Sequence, residues 1–298
     1  MNVLARHPRV AFGLLALLAA ASAQATEGGG STYPRGLENF MVGAAPPPGF
    51  YFMLYGNAYE ATRQKDNNGH TVPIPGFKIS EQSLSLRGIW STPVQVGGGN
   101  LMFHAVVPLV NLKVEAAGAS QSKTGVGDIS VGAGVAVHHS QNLHSVYALD
   151  VVLPTGGYDK NDLANIGRNY VSFEPLYAIT YLDPNGFNAD AKFVLNINRR
   201  NSDTGYRSGT ELFVDYALGW GFGNGWTAGV SGDIWRQLDN DRQYGASISG
   251  NKVRSFAIGP SIRYQTKNWF ITAKVQKEFG VHNSTQGTAL WVKATIPF

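Results

Sequence analysis

Between positions 187 and 200 the chain changes character at every residue. Phe187, Ala189, Ala191, Phe193, Leu195 and Ile197 share one parity; Asn188, Asp190, Lys192, Asn196 and Asn198 share the other, with Arg200 in step. An extended backbone points successive side chains to opposite faces, so a strand separates these two sets and a helix would mix them. The same alternation recurs at about 49–60, 79–92, 100–114, 125–137, 142–153, 169–182, 209–222, 225–237, 252–266, 268–280 and 286–298, which with 186–200 makes twelve strands. Tilted strands need about 9–11 residues to cross a hydrocarbon layer, and these are long enough.

Each such strand must hide an apolar face and satisfy a row of backbone donors and acceptors. In lipid, only closure of the sheet does both, because an open edge leaves N–H and C=O groups without water. The strand at 209–222 shows which face meets lipid. Leu212, Val214, Tyr216, Leu218, Trp220 and Phe222 form a greasy row ending in aromatics, while Glu211, Phe213, Asp215, Ala217 and Gly219 face the other way. At 169–182, Val171, Phe173, Pro175, Tyr177, Ile179 and Tyr181 point outward and Ser172, Glu174 and Thr180 inward. Pro175 lacks a ladder donor, which predicts a bulge. A soluble two-sheet sandwich would carry an aliphatic core face and turn signals every 8–12 residues, a poorer match. The expected fold is therefore an all-β transmembrane antiparallel barrel of about twelve strands, spanning 49–298.

The connections support this. Short turns at 183–186, 221–225 and near Ser140 and Thr266 alternate with longer polar loops at 61–78, 115–124, 154–168, 201–208 and 237–251. Short turns on one rim and long loops on the other are the mark of an outer-membrane barrel, and an even strand count returns both ends to the short-turn rim. The turn at 93–99 is longer than its fellows, and the loop at 281–285 is short.

Only 15% of the 298 residues are charged, 36 are glycine and none is cysteine. Disulfide scaffolds, cysteine zinc sites and charge-rich disorder are excluded. Residues 1–25 read as a secretory leader: Arg6 and Arg9 precede an apolar run at 10–20, followed by cleavage patterns ending at Ala23 and Ala25. Without Arg6 and Arg9 the formal charge of +4 becomes +2, and no basic cluster points to nucleic acid as a partner. Residues 26–48 are rich in glycine and proline and follow neither period. A barrel of about twelve strands has a lumen that side chains alone do not fill. This segment is the candidate plug, through Tyr33, Pro34, Arg35, Glu38, Phe40, Pro46, Pro47 and Pro48. A disordered tail is the alternative.

The inward parity gives the candidate lumen lining. Its acids are Asp128, Asp150, Glu174, Asp190, Glu211, Asp215, Asp233 and Glu278; its bases are Arg87, Lys192, Arg200, Arg263, Lys274 and Lys293. Signs this balanced predict ion pairs across the lumen rather than a single-sign selectivity ring. Asn196 shares this face, as do Tyr51, Tyr55, Trp235 and Trp291, aromatics of the kind an apolar ligand needs beside sparse polar groups. No nucleophile–base constellation and no metal spacing emerges: His104 lacks a serine partner, and the His138, His139 and His144 group has no carboxylate at ligand distance in sequence. No cofactor and no metal is expected.

Several local motifs occur in a fixed order: YPRG at 33–36, PPPGFY at 46–51, GVGD at 125–128, LPTGGYD at 153–159, GRNYVSFEP at 167–175, YRSG at 206–209, AIGP at 257–260 and KEFGV at 277–281. Together they resemble the outer-membrane family named for the meta-pathway of phenol degradation, over the whole chain after the leader. The resemblance implies a bacterial outer-membrane barrel for passive uptake of small hydrophobic or aromatic compounds, and it carries over no set of substrate residues. A structural or adhesive barrel without a transported substrate is the alternative, and a barrel lipase a lesser one. The expected partners are outer-membrane lipid, a small hydrophobic ligand, and the barrel assembly machinery, which the terminal Phe298 resembles a signal for.

Overall fold

The computed structural model describes residues 27–296; the leader expected over 1–25 and the terminal Phe298 lie outside the described residues. Alternation drives nearly everything into strands, and the barrel is built of twelve. They are β1 Gly49–Lys65, β2 Lys78–Val96, β3 Gly99–Ala116, β4 in two pieces (Ala119–Val126 and Ile129–His138), β5 Leu143–Leu153 and β6 Ser172–Tyr181. The second half comprises β7 Phe187–Asn198, β8 Glu211–Gly221, β9 Trp226–Gln237, β10 Arg254–Gln265, β11 Phe270–His282 and β12 Thr285–Ile296. Every neighbour is antiparallel, and β12 returns to β1 with Tyr55 opposite Lys293, so the sheet has no free edge.

Turn chemistry sets the registers. At Gly97 and Gly98, and again at Ala117 and Gly118, two successive residues have positive φ, the twist a two-residue hairpin turn requires. These turns overturn two expectations. The stretch at 93–99 is mostly strand, since Val96 pairs with Gly99, and 115–124 is a tight hairpin, since Ala116 pairs with Ala119. Neither is a loop, because glycine at the turn lets the ladder continue to the tip.

The bulge expected at Pro175 is also absent. Leu149 stays opposite Pro175, and Phe173–Ile197 and Leu176–Val194 keep one register. The ladder to β7 skips Glu174 and Pro175 but does not slip. The proline ring faces outward, so the missing donor interrupts the ladder only at these two positions and no residue need be inserted.

The outer face is apolar. Leu84, Leu109, Tyr147, Leu149, Phe193, Leu218, Val230, Ile262 and Leu290 are all exposed. Near the short-turn rim they give way to aromatics: Phe50 stacks on Trp90 with centroids 5.6 Å apart, Trp90 meets Phe103 at 5.6 Å, and Tyr181, Phe187, Trp220 and Trp226 continue the row. Such a girdle is where amphipathic rings sit at a membrane interface.

The interior is polar and occupied. Residues of the 27–48 segment bond to inward-facing wall residues near both rims and between them. At the long-loop rim, Glu27 accepts hydrogen bonds from Asn201 Nδ2 at 2.9 Å and Tyr158 Oη at 3.2 Å. At the short-turn rim, the Gly43 amide donates to Thr180 Oγ1 at 2.9 Å and Ser91 donates to the Pro46 carbonyl at 3.1 Å. Between them Phe40 is fully buried.

Candidate functional site

The inward faces of β6 to β12 hold this segment by matching its polar atoms one by one. Asp215 accepts from Tyr33 Oη at 2.6 Å and from the Gly36 and Glu38 amides at 3.1 Å. Asp190 accepts from the Met41 and Val42 amides at 2.7 and 3.1 Å and from Thr180. Glu211 takes Ser31 Oγ at 3.0 Å and Trp235 Nε1 at 2.8 Å, while Asn196 donates to Thr32 at 2.6 Å and to Glu174 at 3.1 Å. Buried carboxylates keep their charge only when donors surround them, and here backbone amides of the segment supply many.

Glu38 sits at the middle of a knot. Its carboxylate faces Lys293 Nζ at 3.0 Å, Arg87 Nη1 at 3.2 Å and Tyr55 Oη at 3.3 Å, and its carbonyl receives Lys274 Nζ at 2.8 Å. Arg35 pairs with Glu278 and lies over the Trp235 ring at 4.5 Å. Arg263 lies over Phe40 at 5.6 Å and donates to Thr227 at 2.9 Å. Asp233 accepts from Gln276 at 2.7 Å.

The ion pairs expected across the lumen are thus mostly wall-to-segment pairs. The segment fills the span that two facing side chains would have to bridge. One lining assignment needs correction. Arg200 lies two residues past the end of β7 and is exposed, so its parity no longer places it in the lumen. Asp128 lines the cavity described below from the break between the two pieces of β4, where it also accepts from the Gly156 and Arg168 amides at 2.9 and 2.8 Å and ties down the loop at 154–171. Tyr55 and Trp291 gather in one buried cluster with Leu37 and Met53, and the half-buried Tyr51 packs against it. Pro34 lines the cavity described below, while Pro47 and Pro48 are exposed.

Beside the segment, toward the long-loop rim, a cavity of about 450 Å³ remains. One wall is an apolar stripe: Val106, Pro108, Val110, Leu112 and Val114 follow one another on the inward face of β3, with Leu163 and Ile166 of the 154–171 loop also lining the cavity. Its lower part is polar, with Arg87, His104, Asp150, Glu174 and Lys192. His104 Nε2 lies 2.9 Å from Asp150 in a buried pair. Gly132 makes room for it, because a Cβ there would overlap the Asp150 carboxylate and the His104 ring. Neither the β3 stripe nor the His104–Asp150 pair is singled out by parity alone. The available signal is that β3 is apolar on both faces, which a barrel strand facing water inside has no reason to be.

These features sit on a chain whose residues 61–294 match the family model described as "Putative MetA-pathway of phenol degradation". The chain belongs to this family. Its fold is shared with the COG4313 outer membrane channel from Pseudomonas putida F1, at 16% identity and a TM-score of 0.76, covering 90% of this chain and 100% of the other. The transport unit of the autotransporter AIDA-I from Escherichia coli is a more distant likeness, at 9% identity and a TM-score of 0.51 over 99% of each chain. A search of curated protein sequences finds no match. The barrel fold is thus shared with a solved outer membrane channel.

Proposed function

We propose that this barrel sits in a bacterial outer membrane and admits small hydrophobic or aromatic compounds passively. The observation that carries this reading is the apolar stripe Val106–Val114 parity row lining a lumenal cavity of about 450 Å³. Apolar side chains turned into a polar interior lose contact with both lipid and core, and a greasy ligand is what they can bury against. The family's description, which names a phenol-degradation pathway, favours the same class of compound. The long-loop rim, where the cavity lies, would face outside and the short-turn rim the periplasm.

Residues 27–48 are the plug in this reading, and they gate the passage by unseating. The 154–171 loop and the β3 stripe form the entry. Phe298 would serve recognition by the assembly machinery, with lipid around the exposed rows. A barrel with a purely structural or adhesive role leaves the stripe unexplained, and a lipase would need a serine–histidine pair on the lipid-facing wall. The test is uptake of a labelled aromatic hydrocarbon by cells carrying the protein against cells carrying the Leu112→Glu variant or none. Faster uptake with the unaltered barrel, reduced by Leu112→Glu, is expected; equal rates in all three would overturn the proposal.

A further inference from the structure

The polar floor of the cavity holds one cation that sits among carboxylates without direct contact to any of them. Lys192 is only 8% exposed, lines the cavity, and has no hydrogen bond or ion pair among the described residues. Its ammonium rests 5.1 Å from the centre of the Tyr33 ring, a contact that satisfies the charge partly and its three N–H groups not at all. The carboxylates around it are already engaged. Asp150 takes His104 at 2.9 Å, Glu174 takes Asn196 at 3.1 Å, and Glu38 takes Lys293 and Arg87 at 3.0 and 3.2 Å. The fourth, Asp215, is filled by Tyr33 and two amides. Ser85 and Ser130 line the same cavity, and neither hydroxyl bonds to another described residue. The unused capacity at the floor is therefore donor capacity, beneath an apolar wall.

From this arrangement we infer that the cavity takes amphiphiles with an apolar body and a carboxylate head, the head meeting Lys192 and the body lying against Val110, Leu112 and Ile166. A buried ammonium without an acceptor is costly, and a ligand oxygen with negative charge is the acceptor that relieves it most. Of the neighbouring carboxylates, Glu38 faces Lys293 and Arg87 and Asp150 faces His104, whereas Glu174 and Asp215 are met by uncharged donors, so an anion is held only where its direct contact with the Lys192 ammonium outweighs their repulsion.

The inference rests on the uptake reading and narrows its substrate class. It is tested by titration calorimetry of the detergent-solubilised barrel with 3-phenylpropionate, 3-phenylpropionamide and 3-phenylpropylamine. The acid is expected to bind about tenfold or more tightly than the amide, and the amine least. Lys192→Met should erase the preference for acid over amide, and Lys192→Arg should keep it, which separates a charge contact from mere loss of folding. Equal affinity for acid and amide, tighter binding of the amine, or no binding of any probe would overturn the inference. If labelled aromatic hydrocarbon still enters faster through the barrel, the uptake reading stands without it.

Discussion

Replacing Glu38 by glutamine removes one negative charge from a site that holds two cations. The side chains of Glu38 and Lys293 are 4% and 3% exposed and 3.0 Å apart, with Arg87 at 3.2 Å. An amide keeps the shape and one acceptor but leaves both cations without the counter-charge they contact directly. Breaking a buried pair in this way costs about 3–5 kcal/mol. At about 1.4 kcal/mol per factor of ten, the ratio of seated to unseated segment falls by roughly two to three and a half powers of ten. Single-channel recording in planar bilayers reads that ratio as open probability. Glu38→Gln is expected to raise it strongly, toward the behaviour of a barrel lacking residues 27–45. Adding Lys293→Met removes one stranded cation and should return part of the closed state, a coupling that a double-mutant cycle measures. Traces of Glu38→Gln indistinguishable from those of the parent, in a barrel that opens when 27–45 are deleted, would refute Glu38 as the latch. Unchanged conductance on the deletion itself would refute the plug.

Three further expectations follow from the same structure. Leu218, exposed on the outer face of β8, should tolerate lysine poorly: Leu218→Lys is expected to cost about 2–4 kcal/mol in lipid-bilayer unfolding titrations if it lies near the bilayer midplane, and a neutral result would mean that this face does not meet hydrocarbon. Gly43 lies where a Cβ would come within 2.9 Å of the His144 carbonyl and the Thr180 backbone, so Gly43→Leu should push the segment off the wall and raise open probability near the short-turn rim. Asp241, in the small sheet outside the barrel formed by Tyr206–Arg207, Asp241–Gln243 and Ala246–Ile248, has its pKa raised to about 6 by burial. A carboxyl whose folded pKa exceeds its unfolded one gains stability as the pH falls through the folded value, so amide protection factors in 238–253, corrected for the intrinsic pH dependence of exchange, should rise from pH 7 to pH 5, and Asp241→Asn should flatten that dependence.

Strand period made the barrel legible. Phe187 to Asn198 alternates in the fold as in the sequence, because lipid and a polar lumen impose opposite chemistries on the two faces. Where the sequence misled, a local rule had been applied beyond its reach. Arg200 kept the parity of β7 after the strand had ended, and Pro175 suggested a bulge although a single missing donor on an outward residue does not force one. The acids of the lumen were legible as inward residues, but not their partners. Asp215 and Asp190 are satisfied by backbone amides of 36–42, and an amide carries no signature in sequence. The binding cavity was the least visible part, since Val106, Val110 and Leu112 are unremarkable residue types in a strand and gain meaning only from which side of the closed sheet they face.

Tyr55 and Lys293 stand opposite each other where the last strand meets the first, and both reach the same carboxylate of Glu38. The stretch inside the cylinder is therefore also a clasp on its final weld. Assembly cannot treat the two as separate events: a chain that zips up with this stretch left outside would bring two strands together around an unmatched lysine, whereas early docking on the growing wall would present Glu38 as a guide for the closing strand.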